Sequence, residues 1–481
     1  MAIQAVLFDM GGTIETFSAN RALRLQATLG LQQRLLVAGI DLPLNTEQLL
    51  DVILAGQDRY LRFKLQSMEE LPPAQVWREY ILADYAVDGA ILETIAEDLM
   101  VYYETHFYQR SLRPEVPAVL QAIQQMGLKI GLISNVCSQG QVPLNLEQYG
   151  IRHYFDPVVL SSVYGRRKPD PAIFHHAARL AGVPTSRCLY IGDRIARDVL
   201  GAQKAGFGLA VQIQHTYDHG EEDTGAVPDA LIQHMGELLG ILRAANSRPA
   251  MPIPPGAPQA LLFDAGDVLY HRPRRGRQFQ TYLKELGLDQ NPPTAAERET
   301  LASKAYQGRI SQDEYREALV RLHGVSGAEQ VERGKQVLAA EDDDVQFFPG
   351  VKETLTALKE MGYLLGIITD TANSVSSKLG WFEKGGFGRV WDSIISSKEI
   401  GVRKPDPRLY QAALQQLGIS AKQAIFVGHK ISELDGARAV GLVTVAFNYD
   451  QAAQADHYIE KFSDLLALPC IIRTLNQQVL V

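Results

Sequence analysis

F-D-M-G-G-T at Phe8–Thr13 returns 255 residues later as F-D-A-G-D-V at Phe263–Val268. Each copy follows a short apolar run, Ala5–Phe8 in one case and Leu261–Phe263 in the other. An apolar run of that length reads as a buried strand. Asp9 and Asp264 then stand at the strand ends, where open parallel sheets bind ligands. Gly11 and Gly12 permit a tight turn whose N–H groups can face an anion. Gly266 is the counterpart of Gly11.

Three more pairs follow in the same order. I-S-N at Ile133–Asn135 returns as I-T-D at Ile368–Asp370, and R-K-P-D-P at Arg167–Pro171 returns at Arg403–Pro407. I-G-D at Ile191–Asp193 returns as V-G-H at Val427–His429. The offsets are 235 for Ser134 to Thr369, and 236 for both Lys168 to Lys404 and Asp193 to His429. An internal repeat fixes the architecture before any local reading does. The later motifs form a rigid frame, and the segment after the first is about 20 residues shorter in copy two. That segment is an insert: 18–109 in copy one, and 272–346 in copy two. Both inserts read as several helices.

Apolar runs alternate with helical patterns through each copy. Lys129–Ile133, Val158–Leu160, Cys188–Ile191 and Leu209–Ile213 read as strands, matched by Leu364–Ile368, Ser393–Ile395, Ile425–Val427 and Val443–Ala446. Such alternation predicts an α/β fold with parallel sheets covered by helices. Asn246–Pro258 contains five prolines and reads as a semi-rigid spacer. The expected domains are therefore 1–245 and 259–481. The polar run Tyr217–Gly225 is the expected extra loop of copy one.

These residues resemble the haloacid dehalogenase-like hydrolases. The resemblance covers both halves and nearly the whole chain. It implies two tandem Rossmann-like domains, each with a helical cap inserted after the first strand. It also implies catalysis by Asp9 as nucleophile, with Ser134 and Lys168. Gly11, Gly12 and Asn135 would contact the substrate. Mg²⁺ would be held by Asp9, the Gly11 carbonyl and Asp193, with Asp198 in support. Carboxylates on a loop beside a phosphate suit Mg²⁺.

Copy two departs further from the pattern. Asp264, Gly266, Thr369 and Lys404 remain, but His429 stands where a metal carboxylate is expected, and Glu433 aligns with Asp198. Imidazole suits a softer divalent ion, but loss of metal chemistry is the favoured reading. Both copies also lack the second aspartate that family phosphatases carry two residues after the nucleophile. General acid–base help of that kind contributes about 10²–10⁴-fold.

The expected function is a Mg²⁺-dependent phosphatase of small phosphorylated metabolites, active in domain one and inactive or regulatory in domain two. A non-catalytic binding or scaffold protein and a metal-independent dehalogenase are the alternatives. The net charge of −8 weighs against nucleic acid and anionic membranes as partners. Three scattered cysteines, no signal-like N-terminus and no long apolar run suggest a cytoplasmic chain. The basic run His271–Arg277 reads as a solvated loop, with anion binding as its functional alternative.

Overall fold

The computed structural model describes residues 2–215, 224–247, 258–290 and 292–471. Most of the proline-rich spacer and of the polar run after Tyr217 lies outside the described residues. The chain divides into two compact units, Met1–Ala250 and Met251–Val481.

Unit one contains β1 (Ala5–Phe8), β2 (Glu15–Ser18), β3 (Gln109–Leu112), β4 (Lys129–Ser134), β5 (Val158–Leu160), β6 (Cys188–Gly192), β7 (Leu209–Ile213) and β8 (Ala230–Ile232). Six of these form a sheet in the order β5-β4-β1-β6-β7-β8, and all its pairings are parallel. β1 is central, with Phe8 level with Leu132 on one side and Ile191 on the other. Its four residues are wholly buried because helices cover both faces. Val6 and Phe8 join one apolar layer, and Ala5 and Leu7 join the other. Burying a side chain of the size of Leu7 or Phe8 contributes about 1.5–3 kcal/mol, which fixes the register that places Asp9.

Unit two repeats this plan with β9 (Ala260–Phe263), β10 (Tyr270–His271), β11 (Gln346–Phe347), β12 (Leu364–Thr369), β13 (Ser393–Ser396), β14 (Ala424–Gly428), β15 (Val443–Phe447) and β16 (His457–Ile459). The order is β13-β12-β9-β14-β15-β16, again parallel. The edge strands β8 and β16 were not expected from the sequence. Each has three residues, and Leu231 and Tyr458 point to solvent, so no apolar run announces them.

The inserts are helical, as expected. The first contains Arg21–Val37, Thr46–Ser67 and Gly89–His106, started by Asn20, Asn45 and Asp88 as N-caps. It has its own apolar cluster around Leu49, Ile53, Trp77 and Leu99. The second contains Arg277–Glu285, Ala295–Tyr306, Gln312–Leu322 and Ala328–Asp342. A short antiparallel ribbon closes the base of each insert, β2 with β3 and β10 with β11. These ribbons are an addition to the all-helical reading. Among the described residues, no helix is long and apolar enough to cross a membrane.

Candidate active site

Asp9 lies just beyond β1 and is 2% exposed. Its Oδ1 accepts a hydrogen bond from Lys168 Nζ at 2.6 Å. The same ammonium donates to the Ile133 carbonyl at 2.9 Å and the Tyr190 hydroxyl at 2.6 Å, and pairs with Asp198 at 2.8 Å. Lys168 is 1% exposed, so these partners are what make its burial tolerable. Ser134 ends β4, beside β1, and is buried.

Two expected substrate contacts have other partners. Asn135 donates from Nδ2 to the Lys168 carbonyl at 3.0 Å and accepts from the Lys168 N–H at 2.9 Å. Its amide holds the lysine loop in place. The Gly12 N–H donates to the Glu15 carbonyl at 2.7 Å. Gly12 serves the turn by conformation: its φ is +87°, and a Cβ there would overlap the Asp193 carboxylate. Gly11 has no positive φ, and its added Cβ would meet only Phe17 at 3.5 Å and Arg110 at 3.8 Å.

Asp9, Asp193 and Asp198 bring carboxylate oxygens within 4.8 Å of one another. That donor set suits a hard divalent cation. Arg197 is already there, however. Its Nη2 lies 3.0 Å from Asp9 Oδ2, 3.0 Å from Asp193 Oδ1 and 3.2 Å from Asp198 Oδ2. Sequence reasoning missed this residue. The available signal was its spacing: Arg197 sits one helical turn after Asp193 and directly before Asp198.

Three carboxylates and two permanent cations leave the cluster one negative charge in excess. The imbalance falls on Asp193. Burial pushes its carboxyl up to about 7; Arg197 opposes this, and Asp9 and Asp198 add to it. Burial also works against ionisation of Asp198, but Arg197 and Lys168 outweigh it and hold that carboxyl well below the ordinary range.

Unit two keeps the frame and changes the chemistry. Lys404 Nζ pairs with Asp264 at 2.6 Å and with Glu433 at 3.0 Å. His429 Nδ1 lies 3.3 Å from Asp264 and 3.6 Å from Glu433. Ser432 stands where unit one has Arg197. Burial works against the ionised form of Asp264, but Lys404 and His429 hold its carboxyl well below the ordinary range. Burial, with Asp264 next, pushes Glu433 up. Thr369 is buried at the end of β12, and Gly266 has open space around its Cβ position.

Family models named haloacid dehalogenase-like hydrolase match residues 3–206 and, separately, residues 299–447. The chain belongs to the haloacid dehalogenase-like hydrolases. It is 29% identical over 243 residues to a glyceraldehyde 3-phosphate phosphatase of Methanopyrus kandleri, a match covering 50% of this chain and 97% of the relative. It is 31% identical over 147 residues to a phosphoglycolate phosphatase of Nitrosococcus oceani, covering 31% of this chain and 64% of the relative. Among solved structures, a 2-haloacid dehalogenase from Pseudomonas syringae pv. Tomato matches with 19% identity and a TM-score of 0.35. That match covers 46% of this chain and 99% of the other. Both units of this hydrolase carry the six-stranded parallel sheet covered by helices.

Proposed function

We propose that the N-terminal unit is a Mg²⁺-dependent phosphatase of small phosphorylated metabolites, and that the C-terminal unit does not hydrolyse them. The observation that carries this reading is the buried Asp9 carboxylate, held by Lys168 at a strand end amid Asp193 and Asp198. The phosphatase relatives support the substrate class.

In this reading an Asp9 oxygen attacks phosphorus and the bond from phosphorus to the ester oxygen breaks. The leaving alkoxide takes a proton from solvent, and water then cleaves the aspartyl phosphate to release phosphate. Lys168 orients Asp9, and Ser134 donates a hydrogen bond to a phosphoryl oxygen. Asn135 and Gly12 position the loops. Asp9, the Gly11 carbonyl and Asp193 would hold Mg²⁺, with Asp198 behind them. The ion would supply charge neutralisation at the phosphoryl oxygens. Arg197 holds the same carboxylates and would have to yield them to the ion. No acid stands at position 11, so the expected turnover is slow with poor leaving groups.

Arg197 itself favours a second reading. A guanidinium already offsets part of the cluster's negative charge, as a metal-independent site requires. Asp9 would then displace halide from carbon, and water would cleave the resulting ester. One experiment separates the two. The full chain is screened against phosphorylated metabolites and 2-haloacids, with Mg²⁺ and with chelator. Mg²⁺-dependent phosphate release supports the first reading, halide release in chelator the second, and no turnover a binding protein.

A further inference from the structure

Part of the basic run that the sequence presents as a loop lines a cavity. Between the sheet and the helical insert of unit two lies a space of about 510 Å³, within the range of small-molecule sites. Asp264, Thr369 and His429 line one part of it; Arg272, Arg275 and Lys378 line another.

The acids that line this cavity are mostly engaged by the protein. Glu341 accepts N–H groups of Gly276, Gln278 and Phe279 at the start of a helix. Asp342 pairs with Arg316, and Glu299 with Arg403. Asp264 and Glu433 share Lys404.

Of the lining cations that pair with no carboxylate among the described residues, Lys378 and Arg272 are the two that are not exposed. Lys378 is only 2% exposed, and its ammonium donates to the Tyr270 hydroxyl at 2.9 Å. It otherwise lies over the Tyr270 ring at 5.4 Å and the Trp381 ring at 5.7 Å. Arg272 lies over the same two rings, at 5.5 and 5.0 Å. Its Nε donates to the Asp342 carbonyl, and its buried Nη2 has no hydrogen-bond partner among the described residues. A buried cation is costly unless paired. Aromatic faces return only part of that cost, about 0.5–2 kcal/mol each.

Unit one shows what is missing. Tyr270 occupies the ribbon position that Glu15 holds there: Gly266 bridges Tyr270 as Gly11 bridges Glu15. Glu15 is buried and accepts from Arg110, from Asn145 at 3.0 Å and from Tyr149 at 2.8 Å. Unit one therefore supplies its own carboxylate at the base of the ribbon. Unit two has replaced that carboxylate with a tyrosine and keeps two cations beside it.

We infer that unit two binds a small organic anion in this cavity, with a carboxylate or phosphate group of the ligand seated on Lys378 and Arg272. The ligand's anion supplies the negative charge that Glu15 supplies in unit one. Because the contacts are charge-assisted and largely desolvated, removing one should cost more than a surface ion pair would. The inference goes beyond the phosphatase reading and does not require turnover in either unit.

The test is binding to the full chain. Inorganic phosphate, succinate and phosphonoacetate are titrated separately at up to millimolar concentration, followed by calorimetry and by tryptophan fluorescence. The Trp381 ring lies under both cations, so occupancy should change its emission. We expect at least one probe to bind with that change, succinate alone marking a carboxylate site and phosphate alone a phosphate site. Lys378→Met should weaken binding about tenfold or more, and Arg272→Gln several-fold. Trp381→Phe should abolish the emission change while calorimetric binding persists. If Lys378→Met fails to fold, Arg272→Gln decides, because Arg272 is only half-buried. Two results overturn the inference: no binding of any probe, or binding that folded Lys378→Met or Arg272→Gln leaves unchanged. Phosphatase activity can be lost or kept without affecting either outcome.

Discussion

The two copies place different nitrogen side chains among their carboxylates. In unit one it is Arg197, reaching in from the turn after β6; in unit two it is His429, directly after β14. The exchange involves more than one position. Gly12 becomes Asp267, which takes φ +59° and brings its carboxylate 3.8 Å from His429 Nε2. In unit one a Cβ at position 12 would overlap Asp193, so the glycine and the metal-type aspartate belong together. The hydroxyl near the lysine has moved as well. Tyr190 donates to Asp198, whereas in unit two position 426 is Phe and Tyr410 donates to the Glu433 carbonyl. A duplicated frame thus tolerates new charge placements only as linked sets. Buried charges must be balanced locally.

The sharpest way to break this comparison is to remove each strand-end aspartate in turn. Asp9→Asn should lower phosphate release by about 10⁴-fold or more with the fold retained, because the amide is nearly isosteric but not nucleophilic. Asp264→Asn should leave turnover within about twofold of the unaltered chain. Steady-state kinetics with far-ultraviolet dichroism checks both. A large loss in Asp264→Asn alone would place the chemistry in unit two.

Gly11→Asp should raise turnover on an alkyl phosphate by about 10²-fold, and less on an aryl phosphate, whose leaving group needs the proton less. Gly11 has an ordinary φ and room at Cβ, so strain does not oppose the change. Equal rates for a folded variant and the unaltered chain would show that another group already supplies the proton.

Asp193→Asn should stabilise the metal-free protein at pH 8 by on the order of 2 kcal/mol. The carboxyl titrates near 3.8 before folding and near 7 after it. The folded state therefore holds this proton more tightly, and metal-free stability falls as pH rises from about 4 through 7. The amide cannot ionise and escapes that loss. Urea melts in chelator at pH 5 and pH 8 read the difference, and equal gains at both would refute the assignment.

Arg197→Met should tighten Mg²⁺ binding by about tenfold, since the ion no longer displaces a charge-assisted contact. Calorimetry on the full chain measures it. Unchanged affinity would mean that the guanidinium leaves the carboxylates without cost.

Much of this molecule was legible in its residues. The repeat, the parallel α/β plan, the helical inserts and the order of the four motifs follow from apolar periodicity and identical short runs. These are local properties, set by a strand or helix and its neighbours in sequence. The clustering of the strand-end residues was an expectation from the resemblance, and the sheet brings together Asp9, Lys168, Asp193 and Asp198. The charge partners were not legible. Arg197 among three aspartates, Glu15 beneath Arg110, and Lys378 beside Tyr270 and Trp381 join residues that are 1 to 188 positions apart. Nor could residue types show that Asn135 would turn to the Lys168 backbone, or that Arg272 would stack against the core. Which cation meets which carboxylate depends on desolvation and distance. Both exist only once the sheet has closed and the insert has folded over it.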